Sequence, residues 1–136
     1  MKILLAEKGK NLISALLLVL THIKNTEVKE IGLILNVDRI DNLHKELKKE
    51  KPDILIINGG FINHISIKSI IFLQELYPAM KVLILSIDPG AEKKFLEAGI
   101  EDFILKGESA EIFYKSMVTF LKKEQKRLKK LSFNNA

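Results

Sequence analysis

The chain has 136 residues, 47% of them hydrophobic and 29% charged, which suits one globular domain with a real core rather than a disordered chain. It contains no Cys, which excludes disulfides, thiolate metal sites and cysteine nucleophiles. The net charge of +5 equals that of residues 122–130 alone (KKEQKRLKK), so everything else sums to zero, which argues against a basic, nucleic-acid-binding body.

No signal peptide is evident at the N-terminus, where the first apolar run is soon broken by Glu7 and Lys8. The longest apolar stretch, 12–20, is interrupted by Ser14 and falls far short of the roughly 20 residues of a membrane span. A cytoplasmic protein without a membrane span is therefore expected.

The run at 2–6 (KILLA) predicts a first strand that ends at Glu7 and Lys8. Leu12, Leu16 and Val19 or Leu20 follow at helical spacing. A second strand is predicted at 31–36 (IGLILN), then a helix marked by Ile40, Leu43 and Leu47, with Asp38 as its N-cap and Asp41 three residues on. The third strand, 53–57 (DILII), runs into Asn58. Ile67, Ile70, Ile71 and Gln74 lead to Leu76 in a third helix closed by Pro78. The fourth strand is 81–86 (KVLILS), and the fourth helix, 91–99 (AEKKFLEAG), holds Phe95 and Leu96 and ends at Gly99. The fifth strand is 102–105 (DFIL). Ser109 caps the fifth helix, where Phe113, Met117, Phe120 and Leu121 form one stripe.

Most of these strands are continuously apolar, as strands covered on both faces are. Regular β-α alternation with short links predicts a doubly wound parallel sheet with helices on both faces. In such sheets ligands bind beyond the carboxyl ends of the strands. That directs attention to Glu7, Lys8, residues 36–38, 58–61 and 86–88, and Lys106-Gly107.

Those strand ends resemble the receiver domain of two-component response regulators, over about residues 1–121. The segment FLEAGIEDFILKGESAEIFYKSM is similar to the receiver stretch from the fourth helix through the fifth strand to the fifth helix. The resemblance makes Phe103 the switch aromatic and Lys106 the pocket lysine. PDILIIN places Asn58 at the phosphoacceptor, VLILS places Ser86 at the hydroxyl position, and ILLAEK places Glu7 and Lys8 at the acidic pair. It implies a flavodoxin-like five-stranded sheet in the order 2-1-3-4-5 with five helices, followed by a basic helical extension or linker at 122–136.

The departures from the family pattern bear on chemistry. Asn58 offers an amide where the family has a nucleophilic carboxylate. With Lys8 at the second acidic position, Glu7 is the sole carboxylate, and the pocket is more positive than a family pocket by about three charges. Mg²⁺ prefers hard oxygen ligands, so weak or absent Mg²⁺ binding is expected, and no other cofactor. Lys8 is a candidate built-in cation, and Lys106, with no phosphoryl group to meet, is expected to pair with Glu7. Asn58-Gly59 is also an ordinary turn pair, and Phe103 is equally a core residue.

His22, His44 and His64 show no metal spacing, and no phosphate-binding glycine motif or Ser-His-Asp set is present. The expectation is a non-enzymatic pseudo-receiver, not phosphorylated, that acts by protein–protein contact. Its partner, or a second copy, would use the face of the fourth helix, fifth strand and fifth helix. The alternative is a phosphorelay response regulator whose DNA-binding output is missing from this chain. Nucleic acid is expected only through such a module or the basic tail. The tail itself reads three ways, as a helical extension with heptad-like Leu121, Leu128 and Leu131, a linker, or a basic arm.

Overall fold

A computed structural model describes residues 1–62, 66–107 and 109–135. Five strands, β1 (Ile3–Ala6), β2 (Ile34–Val37), β3 (Ile54–Asn58), β4 (Lys81–Ser86) and β5 (Phe103–Leu105), form one parallel sheet in the order β2-β1-β3-β4-β5. The helices are α1 (Lys10–Thr26), α2 (Ile40–Glu50), α4 (Ile67–Leu76), α5 (Pro89–Glu97) and α6 (Ala110–Asn135), with a single turn, α3 (Gly59–Ile62), after β3. The five longer helices and the sheet order are those expected.

Alternate strand residues feed two cores, which is why the strand runs are continuously apolar. Ile3, Leu5, Ile54, Ile56, Leu83 and Leu85 pack under α1 and α6. Leu4, Ala6, Leu55, Ile57, Val82 and Ile84 pack under α2, α4 and α5.

Several boundaries differ from those predicted. The second strand starts at Ile34 rather than Ile31, because Ile31 is buried in the core against the α1 side. Gly32 N–H donates to Met1 O (2.8 Å) and Ile3 N–H to Leu33 O (2.9 Å), so the chain joins the ladder just before it becomes a strand. Asp38 is not the cap of α2. The chain is still extended at Arg39, which takes the N-cap without a side-chain bond. There Asn42 N–H donates to Arg39 O (3.1 Å), a backbone bond that serves one of the first-turn donors. Helix α5 begins at Pro89 rather than Ala91, since Asp88 Oδ1 accepts from Gly90 N–H (2.9 Å) and Pro suits the first helical position. The expected stop at Gly99 and the expected start at Ser109 hold. Gly99 adopts φ +85°, and Ser109 Oγ accepts from Ile112 N–H (3.2 Å).

Helix α6 passes the junction at Leu121 without a break and runs through the basic tail. Its lysines reach back to acids of the body: Lys122 to Glu27 (3.1 Å), Lys123 to Asp102 (2.9 Å) and Lys129 to Glu30 (3.4 Å). Glu124 is 1% exposed and accepts from Arg127 Nε (2.6 Å), while Arg127 Nη1 donates to Ala79 O (3.1 Å). Arg127, oriented by Glu124 on the same helix, thus ties the tail to the chain just before β4. Among the described residues no helix is long and apolar enough to cross a membrane.

Glu124 is buried, but Arg127 is 27% exposed and keeps its bond to Ala79 O, so loss of the pair removes one charge-assisted hydrogen bond rather than stranding a buried charge. Glu124→Ala should lower stability by about 2 kcal/mol in urea denaturation, whereas Lys126→Ala, on the exposed side of the same helix, should change it by less than about 0.5 kcal/mol.

Candidate functional site

The parallel register brings four strand ends to one edge. Ala6 lies beside Ile57, Asn58 beside Leu85, and Ser86 beside Leu105. The next positions are Glu7 and Lys106, so Glu7, Asn58, Ser86 and Lys106 share the carboxyl edge of the sheet. Asn58 is 0% exposed and Glu7 is 1% exposed.

Lys106 Nζ donates a hydrogen bond to Asn58 Oδ1. The ion pair expected between Lys106 and Glu7 is therefore not the contact formed. The carboxamide oxygen takes the ammonium, and Glu7 acts on it only through its field. Burial lowers the Lys106 pKa, and the Glu7 charge partly opposes that fall.

Glu7 is held by the backbone that follows it. Its Oε1 accepts from Lys8 N–H (3.0 Å) and Gly9 N–H (2.9 Å). Gly9 is a site residue that the sequence pattern does not flag: a Cβ there would stand only 3.3 Å from Glu7 Oε1. Asn36 Nδ2 donates to Leu5 O (2.9 Å) and Glu7 O (3.3 Å), tying the end of β1 to β2. Glu7 Oε2 and Asn58 Nδ2 are buried without a hydrogen-bond partner among the described residues.

The remaining residues of the resemblance have internal partners. Ser86 is buried, its Oγ accepts from Asp88 N–H (3.1 Å), and its carbonyl accepts from Lys106 N–H (2.7 Å). Phe103 is half-buried and its ring packs against Phe95, with centroids 5.9 Å apart. Lys8 is exposed and lines a shallow cleft with Asp38, Arg39, Asp41 and Phe61. His64 lies outside the described residues.

This donor set is a poor match to the octahedral oxygen shell that Mg²⁺ demands. One carboxylate is present, one of its oxygens already serves two backbone N–H groups, and the neighbouring side chain that is hydrogen-bonded to a cation is an amide. Among the described residues there is no group of three or more His, Asp or Glu side chains placed to hold a metal ion.

No family model and no curated protein matches the chain. Solved structures do match. A pilus assembly-related protein from Burkholderia pseudomallei superposes with TM-score 0.71 at 16% identity, over 91% of this chain and 88% of that one. The N-terminal signal receiver domain of a Bacteroides fragilis response regulator gives 0.68 at 15% identity, over 88% and 95%. The isolated receiver domain of RcsB from Salmonella enterica serovar Typhimurium, with a phosphomimetic, gives 0.65 at 18% identity, over 96% and 88%. The chain has the receiver-domain fold. At these identities the likeness is one of fold, and the strand-end chemistry rests on the residues above.

The depressed Lys106 pKa has a signed consequence. In the unfolded chain this lysine stays protonated to higher pH than in the folded one, so burying its charge costs stability below the folded pKa. That cost is relieved as pH rises through the folded pKa toward the ordinary lysine value of 10.5. In paired urea titrations, native stability relative to Lys106→Met should therefore rise with pH in that alkaline window. A pH-independent difference would show that Lys106 is not desolvated by folding.

Proposed function

We propose that this protein is a receiver-like signalling domain that works by protein–protein contact, and that its strand-end pocket does not take a phosphoryl group. The observation that carries the proposal is the fully buried Asn58 carboxamide, whose oxygen accepts from Lys106 Nζ. Attack on a phosphoryl donor needs a carboxylate oxygen, which an amide does not supply. With Asn58 and Lys8 at positions where the resemblance implies acids, Mg²⁺ binding is weak or absent as well.

Ser86 and Phe103 fit this account. In the family pattern a hydroxyl moves to the phosphoryl group and an aromatic swings with it. Here the hydroxyl accepts from a backbone N–H and the ring lies on Phe95. A ligand shifts a two-state equilibrium only by binding the states differently. Without a phosphoryl ligand the domain rests in one state or answers another input.

The docking surface for the protein partner is the face of α5, β5 and α6. Leu96 of α5 and Ile112 of α6 are exposed there, and a groove lined by Phe103, Ile112, Lys115 and Phe120 runs along the three-residue edge strand β5. Charge, hydrophobic side chains and an unpaired strand edge in one groove suit a peptide or domain surface better than a small molecule.

Incubation with a small phosphodonor and Mg²⁺, followed by intact-protein mass spectrometry, tests the proposal. The expected result is no phosphoryl adduct on the native chain. An adduct that disappears in Asn58→Ala would contradict it. Asn58→Asp alone should acquire at most a trace, because Lys8 still stands at the second acidic position. Asn58→Asp combined with Lys8→Asp should be labelled at least about tenfold more, since the second carboxylate completes an oxygen site for the metal.

A further inference from the structure

An edge strand presents a row of peptide groups that no neighbouring strand bonds. Two bonds fix which groups those are on β5. Ile84 N–H donates to Asp102 O (3.0 Å), and Lys106 N–H donates to Ser86 O (2.7 Å). The Asp102 carbonyl and the Lys106 N–H thus turn toward β4, and so does Ile104 between them, as alternate residues of a parallel ladder do. The peptide groups of Phe103 and Leu105 turn the other way, to the open edge, and both residues line the groove. They offer two N–H and two C=O groups with no backbone partner among the described residues. Proteins usually block such an edge with a charge or a proline in the strand. Phe103-Ile104-Leu105 has neither.

Helix α6 forms one wall of the groove. Ile112, Ser116 and Phe120 line it at four-residue intervals, about 6 Å apart along the helix axis. Side chains on one face of an extended strand recur every 6.6 Å or about that. A strand laid along β5 therefore sets three successive side chains of one face opposite an apolar, a small and an apolar residue. A helix in the same place would leave the edge groups of Phe103 and Leu105 unmet.

Charge sets the ends. Lys115 is paired with Glu111 (3.0 Å) and Lys123 with Asp102 (2.9 Å). Glu101 precedes β5, and Glu92 lies on the first turn of α5, the helix that follows the carboxyl end of β4. The groove thus has an acid toward each end of β5. Both acids are exposed and make no ion pair among the described residues. The unanswered charge is negative, so the ligand that complements it is basic at its ends.

We infer that this groove takes an extended peptide, which adds to β5 as a sixth strand and carries a lysine or arginine toward each end. The inference rests on the docking face proposed above and names the chemistry of its partner. Main-chain bonds to Phe103 and Leu105 hold the peptide, and alternate side chains on α6 select it.

The probe is the blocked heptapeptide Lys-Val-Thr-Ala-Thr-Val-Lys, titrated into the ¹⁵N-labelled full chain. Saturable shifts are expected at the backbone amides of Phe103, Ile104 and Leu105. Two N-methylated forms of the probe test the bonding, one methylated at both threonines and one at the alanine and both valines. Each lacks the N–H groups of one edge of the extended peptide, so one form should bind at least about tenfold more weakly and the other should bind like the parent. Glu92→Lys combined with Glu101→Lys should also weaken binding at least about tenfold, whereas Glu75→Lys, on α4, should not. Shifts at this face that neither methylation alters keep the docking face and overturn the strand. Binding undiminished by the paired charge reversal overturns the basic ends. Shifts confined to another surface overturn strand and face together, and no saturable shift at millimolar peptide overturns the inference. Phosphodonor labelling is a separate readout, so the closed pocket and the strand addition can fail independently.

Discussion

The hydrogen bond from Lys106 to Asn58 is the constraint on which the account of this site depends. A parallel sheet collects the carboxyl ends of its strands at one edge, so the residues after β1, β3, β4 and β5 must meet there and must satisfy one another once buried. In this chain they satisfy one another with a neutral carboxamide and an ammonium. The amide oxygen accepts from the lysine, and the lysine tolerates burial at the expense of a lowered pKa. Ser86 and Phe103 then find partners close by, in a backbone N–H and in Phe95. The edge is built as a closed polar cluster, with Glu7 Oε2 and Asn58 Nδ2 as its two unpartnered buried atoms among the described residues.

Much of this was legible in the sequence, for physical reasons that can be named. Continuous apolar runs such as DILII and KVLILS are what two-sided burial produces, so the sheet and its parallel sense followed. Gly99, Ser109 and Pro78 marked helix ends because each has a backbone or side-chain property that only those positions use. Residues near the strand ends were found because topology alone puts them together. What was not legible was the choice of partner. Lys106 can reach either Glu7 or Asn58, and only side-chain geometry across 48 residues of chain decides. Asp38 looked like a cap by residue type, yet an extended Arg39 takes the position. Gly9 carried no motif, since its role is close approach to a carboxylate that belongs to the preceding strand end.

The surplus of positive charge takes on a different meaning in three dimensions. In sequence it is a basic arm of +5 attached to a neutral body. In the fold it lies on the last turns of α6, and Lys122, Lys123 and Lys129 pair with Glu27, Asp102 and Glu30. Arg127, paired with Glu124 on the same helix, adds a bond to Ala79 O at the same junction. Much of the charge that would serve a polyanion is committed to holding the helix in place. Exposed apolar residues such as Leu96 and Ile112 then become the informative part of the surface, and the proposed docking face rests on them.

The central claim is that the strand-end pocket is closed to a phosphoryl group. Its most direct test is a two-dimensional ¹H–¹⁵N NMR titration of the native chain with Mg²⁺ and beryllium fluoride, a non-transferable mimic of a phosphoryl group. The account predicts that the side-chain amide of Asn58 and the backbone amides of Glu7, Ser86 and Lys106 stay where they are throughout. Saturable shifts of those four signals, with accompanying changes at Phe103, would contradict it.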